Sequence, residues 1–188
     1  YKVHPYQWST IGKNTNHIAE TTQKEARDFY NKFYSPSNAI LVVAGDFKED
    51  YIFNLAEKWF GDIKNRNYFS RNLPLEPLQK EARKLIVEKD VSQDKIIIGF
   101  PMCDRLHKDY HAFDILTDVL SQGISNRLHL NLVKKKEIFS SIDAYISGSL
   151  DPGQIMFNGD VMPNISISQA EEEIWNEIES LKQEGISD

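Results

Sequence analysis

Two histidines four residues apart, in the run His107-Lys108-Asp109-Tyr110-His111, come nearest to a spacing that does chemistry. On a helix such residues share a face, and two imidazoles there can grip one zinc ion. Peptide hydrolysis at such a site also needs a carboxylate to take a proton from the metal-bound water. In the two helical arrangements that provide it, glutamate follows the first histidine or precedes the second. This chain has Lys108 and Tyr110 at those places and no identifiable third ligand nearby, so the pair reads as the solvated start of a helix. His4, His17 and His129 are isolated in sequence and read as structural. Cys103 has no second cysteine for a disulfide or a zinc ribbon and reads as a structural thiol. Gly45, Gly61, Gly99 and Gly123 are scattered and open no phosphate loop, and Ser140-Ser141 stand in a predicted strand without a recognisable base. The Lys134-Lys135-Lys136 run near one helix end and the Glu171-Glu172-Glu173 run near a helix start fit the helix macrodipole. No catalytic, cofactor-binding or metal-ligating residue is assigned.

Composition bounds what such a chain can be. With 188 residues, 40% of them hydrophobic and 11% aromatic, it can bury a core and form one large domain or two smaller ones. A formal charge of −6 disfavours binding to phosphate backbones, so nucleic acid is not an expected partner. There is no apolar run long enough to cross a bilayer, and Tyr1 to Gly12 lack the basic and apolar blocks of a signal peptide. Without an initiating methionine, the chain is read as an excised or trimmed interior segment.

Periodicity then places the elements. Thr22 and Glu25 make a capping box, and Ala26, Phe29, Tyr30 and Phe33 recur at helical spacing, predicting a helix over Thr22 to Phe33. The run Ala39 to Ala44, closed by Gly45-Asp46, predicts a buried strand. A second helix carries Ile52, Leu55, Ala56, Trp59 and Phe60 on one face, with Gly61 as a left-handed cap. From Asn65 to Gln79 the composition turns polar around Pro74 and Pro77, and an interdomain linker is placed at 71–82. Beyond it, Arg83 to Lys89 and Lys95 to Phe100 predict a hairpin. Two helices follow: one over Tyr110 to Leu120, and one starting near Ser125 with Leu128 and Leu132 inward. Ile138 to Ser147 and Gln154 to Val161 flank the turn former Asp151-Pro152-Gly153 and predict a second hairpin. A Ser168/Glu171 capping box opens a last helix that buries Ile174, Ile178 and Leu181. The second unit therefore reads β-β-α-α-β-β-α, an α+β architecture with an antiparallel sheet and helices packed on one face.

Ordered motifs carry the chain further. The stretch His4-Pro5-Tyr6 with Ile11-Gly12, then Phe29-Tyr30 with Phe33-Tyr34-Ser35-Pro36-Ser37-Asn38 running on to Gly45-Asp46-Phe47, resembles the insulinase/pitrilysin (M16) family of zinc metallopeptidases downstream of the active-site region. Ile115-Leu116, Leu120-Ser121, Gly123, Ser125, Arg127-Leu128 and Leu132 to Tyr145 resemble the helix pair and strand of the next M16 domain. The resemblance implies M16 peptidase-like (LuxS/MPP-like) domains. Residues 1–70 would be the C-terminal part of a first domain lacking its zinc motif, and 83–188 a second domain truncated at its C-terminal end.

By the same resemblance, the family's H-x-x-E-H motif and downstream glutamate ligand lie upstream of Tyr1. The Arg and Tyr that the opposite half of the family contributes fall here on Val133 and Ser140, so both groups are missing. Gly45 and Gly123 are expected at permissive turn positions, and Arg127 as a structural residue at a helix start. The implied function is the scaffold and chamber wall of a zinc-dependent endopeptidase, with zinc in the full-length parent and none in this fragment. Its partners would be the remaining M16 domains of the same chain or a partner subunit, and a polypeptide substrate. A non-catalytic M16-like structural or partner subunit is the alternative. Similar peptidases point to a bacterial periplasm or cell envelope.

Overall fold

After a single helical turn, α1 (Asn16–Glu20), the side chain of Thr22 accepts the N–H of Glu25 at 3.2 Å while the Glu25 carboxylate accepts the N–H of Thr22 at 2.8 Å. This reciprocal cap starts α2 (Gln23–Phe33), as its sequence predicts. Glu49 and Asp50 occupy the first turn of α3 (Glu49–Phe60), where negative charge meets the positive end of the macrodipole. Gly61 follows it with φ −61°, a right-handed conformation, which corrects the expected left-handed cap. A Cβ there would lie 2.5 Å from the Glu57 carbonyl oxygen, so crowding rather than handedness excludes a side chain. Gly45 likewise lacks a positive φ, whereas Gly123 has one of 72°.

The computed structural model describes residues 1–66, 71–148 and 150–186 and divides into two units, Tyr1–Lys80 and Glu81–Asp188. Residues 67–70 of the predicted polar stretch lie outside the described residues. In the first unit the predicted strand Ala39–Ala44 is not formed. Ala39 is extended, with φ −129° and ψ 147°, but the segment has no ladder partner among the described residues, and a strand exists only through its neighbours. Among the described residues, every apolar residue that is fully buried belongs to the second unit, and the buried residues of the first are His4 and Ser35.

Polar pins organise the first unit instead. The Glu76 carboxylate accepts the consecutive N–H groups of Lys2, Val3 and His4 at 2.5, 2.8 and 2.9 Å. The segment expected as a linker is thereby tied to the start of the chain. Ser35 accepts the Arg66 N–H at 3.0 Å, and the Arg66 guanidinium lies over the Tyr30 ring, 5.3 Å from its centroid.

In the second unit β1 (Lys95–Pro101) pairs antiparallel with β3 (Gln154–Val161), which pairs antiparallel with β2 (Phe139–Ser147), giving the order β1-β3-β2. The hairpin across Asp151-Pro152-Gly153 is present. The one predicted between Arg83–Lys89 and β1 is not, because β1 pairs with β3, and 83–89 forms no strand and is exposed at Leu85, Ile86 and Val87. Alternation sends Ile155, Phe157 and Val161 of β3, Ile142 and Ala144 of β2 and Ile96 of β1 to one face. Gly159 sits in the middle of β3 because the Phe139 ring lies where its Cβ would be, at 2.7 Å.

That face is covered by α4 (Tyr110–Ser121), by a short π-helix (His129–Lys135) and by α5 (Ile167–Glu184). Leu128 and Leu132 are wholly buried, so the inward pair is as predicted although the helix is wound as a π-helix. Ser166, whose side chain accepts the Gln169 N–H at 3.2 Å, caps α5. This corrects the expected Ser168/Glu171 box: Ile165 flanks the cap and packs against the core, so the chain enters the helix two residues sooner.

Truncating Leu132 to Ala should cost about 2–5 kcal/mol, read as a lower urea midpoint at unchanged slope. The Glu76 carboxyl is drawn from an ordinary 4.5 down to about 2, chiefly by the His4 N–H and then by those of Val3 and Lys2. A carboxyl held below its unfolded value stabilises fully above that value and loses its contribution as pH falls through the folded one. The amide proton shifts of Val3 and His4 should therefore titrate with a midpoint near 2, and Glu76→Ala should abolish that titration.

Candidate functional site

The histidine pair fails the geometry that its spacing promised. His107 lies in the turn before α4, where its Nδ1 accepts the Asp109 N–H at 3.2 Å and its carbonyl accepts the Tyr110 N–H at 3.0 Å. His111 stands in the first turn of α4, its ring edge-on to that of Tyr110. One imidazole on a helix and one before it do not share a helical face, and one ring nitrogen is already engaged. Among the described residues no group of three or more His, Cys, Asp or Glu is placed to hold a metal ion. The described side chains do not fit a catalytic zinc centre.

Val133 and Ser140 are placed as structural residues. Val133 packs against the core from the π-helix. Ser140 sits at the irregularity between Phe139 and Ser141, where its hydroxyl accepts from Gln93 Nε2 at 3.0 Å and donates to the Asp160 carbonyl at 3.3 Å. Cys103 is partly buried beside the core, and burial pushes its thiol up, away from the reactive thiolate.

The strongest polar constellation is one that reading the sequence missed. Glu177 of α5 is a buried carboxylate, 5% exposed, and it accepts from Arg127 Nε at 3.1 Å and from Asn131 Nδ2 at 2.9 Å. Arg127 Nη2 also donates to Ser180 Oγ at 2.5 Å and to Glu184 at 2.7 Å. The guanidinium thus spans about two turns of α5 and holds the Glu184 carboxyl below its usual range. A signal was available. Glu177 falls three residues after Ile174 and four before Leu181, on the apolar stripe itself, where a carboxylate needs a buried cation. The Lys and Glu runs also meet: Lys136 pairs with Glu173 at 2.6 Å, so Glu173 serves a cross-element ion pair and not a helix start.

The sheet's other face is mostly polar. Lys95, Asp160 and Ser141 form one row across it, with Lys95 Nζ 3.0 Å from Asp160 and Ser141 Oγ donating to Asp160 at 2.9 Å. The Lys95 ammonium, then the Ser141 hydroxyl, hold the Asp160 carboxyl below its ordinary value. Beneath it come Ile97, Asn158 and Asp143, then Gly99, Met156 and Tyr145. Such a surface can lie along a polypeptide; the carboxylate that the Ser141 hydroxyl meets is held below its ordinary value and is a weak proton acceptor.

An antiparallel sheet covered on one face by helices and clasped by the partly buried Arg127 defines an α+β domain. The profile of the peptidase M16 inactive domain matches residues 21–188, and the chain belongs to that family. It is 32% identical over its whole length to the zinc protease PqqE of Helicobacter pylori, of which it covers 43%. It is 26% identical to the uncharacterized zinc protease YmxG of Bacillus subtilis, of which it covers 44%. The crystal structure of a protease from Helicobacter pylori superposes with a TM-score of 0.88 at 32% identity over the whole of this chain and 46% of the other. A peptidase M16 inactive domain from Pseudomonas fluorescens shares the fold with a TM-score of 0.83 at 18% identity. The chain spans less than half the length of the curated relatives it matches. Among the described residues no helix is long and apolar enough to cross a membrane.

Removing the Arg127 side chain strands the Glu177 carboxylate inside the fold. Arg127→Ala should cost about 3–5 kcal/mol in urea denaturation, and Arg127→Lys should recover part of it, since a single ammonium cannot reproduce the fork.

Proposed function

We propose that this chain is the non-catalytic scaffold of a longer zinc-dependent endopeptidase, lining the space where a polypeptide substrate is held while the metal and its general base come from residues outside 1–188. The observation that carries this reading is the match of the inactive-domain profile to residues 21–188, in relatives named as zinc proteases and more than twice as long. The placement of the chain's own groups supports it. His107 is engaged in a turn, Val133 and Ser140 are absorbed into packing and hydrogen bonds, and Arg127 is spent on α5. In the complete protein zinc would acidify a bound water and polarise the scissile carbonyl. The contribution of this chain would be to give the peptide a rigid wall and to support the catalytic domain. A bacterial periplasm or envelope location belongs to the same proposal, carried by the family resemblance.

The test compares the 188-residue chain with the full-length protein on an internally quenched peptide, with and without a zinc chelator. The short chain should show no chelator-sensitive hydrolysis and the full-length protein should show it. Chelator-sensitive activity in the short chain would overturn the placement of the active site. An inactive full-length protein without an H-x-x-E-H motif would instead make this a partner subunit.

A further inference from the structure

Glu76 is bracketed by prolines, Pro74 shortly before it and Pro77 directly after. A proline fixes its own φ and confines the residue before it to extended conformations, so Leu73 to Pro77 forms one stiff block. Its anchor is the Glu76 carboxylate, whose Oε1 accepts the Lys2 N–H and whose Oε2 accepts those of Val3 and His4, at 2.5, 2.8 and 2.9 Å. Consecutive N–H groups turned onto one anion form a nest. The buried His4 keeps this nest in shape, since its Nδ1 accepts the Tyr6 N–H at 3.2 Å and its carbonyl accepts the Gln7 N–H at 3.1 Å. The Glu76 carboxyl, drawn down to about 2, stays charged at any ordinary pH, so acidity does not open the clasp. Beyond it the support ends. Residues 77–82 are all exposed and make no hydrogen bond or ion pair among the described residues. The next tie is the 2.8 Å pair of Lys84 with Glu171, already inside the second unit.

We propose that the Glu76 clasp is a stop on motion between the units: it ends the first unit at a fixed point and leaves 77–83 as the tether on which the second unit moves. That tether spans at most about 25 Å when fully extended. A short tether leaving a stiff block in a set direction confines what it carries, and a longer, freely jointed one does not. Opening the clasp adds Leu73 to Glu76 to the mobile length and releases the direction in which the chain leaves. The Ser35 pin does not have this role, because it holds Arg66, on the other side of the proline block from the tether. The inference concerns how the chain is held, so it is the same for an active peptidase and for a partner subunit.

The experiment measures distance distributions by pulsed electron paramagnetic resonance in the full-length protein, with its other cysteines replaced. One pair of spin labels, at Arg27→Cys in α2 and Glu172→Cys in α5, reports across the units, and a second, at Arg27→Cys and Lys58→Cys, reports within the first; all three positions are exposed. Glu76→Ala should broaden the first distribution at least ~2-fold and leave the second unchanged. Ser35→Ala, which removes the pin on Arg66 and spares the clasp, should keep the parent's width in both. Glu76→Gln, with one carbonyl oxygen left to accept, should fall between parent and alanine. An unbroadened distribution across the units in Glu76→Ala overturns the proposal. So does equal broadening by Ser35→Ala, or broadening of the pair within the first unit, since either assigns the effect to general loosening. Where Glu76→Ala does not fold, Glu76→Gln is read against the same controls: extra width across the units alone supports the stop, and the parent's width overturns it.

Discussion

The second unit depends on β3 being hydrogen-bonded on both sides. Its eight residues, Gln154–Val161, receive β1 along one edge and β2 along the other, and the alternation of Ile155, Phe157, Gly159 and Val161 decides which face of all three strands turns toward the helices. A slip of one residue in either ladder would send those side chains to solvent and bring Met156, Asn158 and Asp160 inside. The glycine at 159 adds a local lock to this register, since the Phe139 ring fits beside β3 where a side chain is missing. Sheet, helix cover and arginine clasp all follow from that one strand's position.

The two units solve the problem of burial differently. Glu81–Asp188 encloses aliphatic and aromatic side chains between sheet and helices, and it uses one buried carboxylate, Glu177, to fix how α5 meets the helical turn at Arg127. Tyr1–Lys80 relies on backbone-to-side-chain pins at Glu76, Ser35 and Asn38, while Phe29, Tyr51, Phe53 and Trp59 stay largely exposed. Hydrogen bonds of that kind give geometry but little net free energy, because water competes for the same groups. The contrast is chemical: the first unit carries the apolar residues of a core without the second layer that would turn them into one.

Helices were the most legible part of the sequence because their evidence is local. The Thr22/Glu25 box, the stripe over Tyr110 to Leu120 and the inward Leu128 and Leu132 each reflect neighbours within a turn or two. β3 was equally clear, with a turn former on one side and strict alternation along it. The segments 39–44 and 83–89 read as strands with equal force, yet a strand requires a partner that its own residues do not name, and neither has one among the described residues. Chemistry followed the same division. A histidine spacing was visible, but whether both rings shared a helix turned on where α4 begins. The Arg127–Glu177 pair, separated by fifty residues, needed the fold to bring it together.

The Arg127 clasp also has a bearing on the order of assembly. Its acceptors, Glu177, Ser180 and Glu184, lie in the last three turns of α5, so a nascent chain exposes the arginine and the hydrophobic floor beneath it well before their partners exist. The pairing of Lys95–Pro101 with Gln154–Val161 is similarly remote, with β2 and the helical segments intervening. Contacts spanning that much chain form late and slow folding. Until α5 arrives, the growing polypeptide carries an open sheet face and a cation without its counterion.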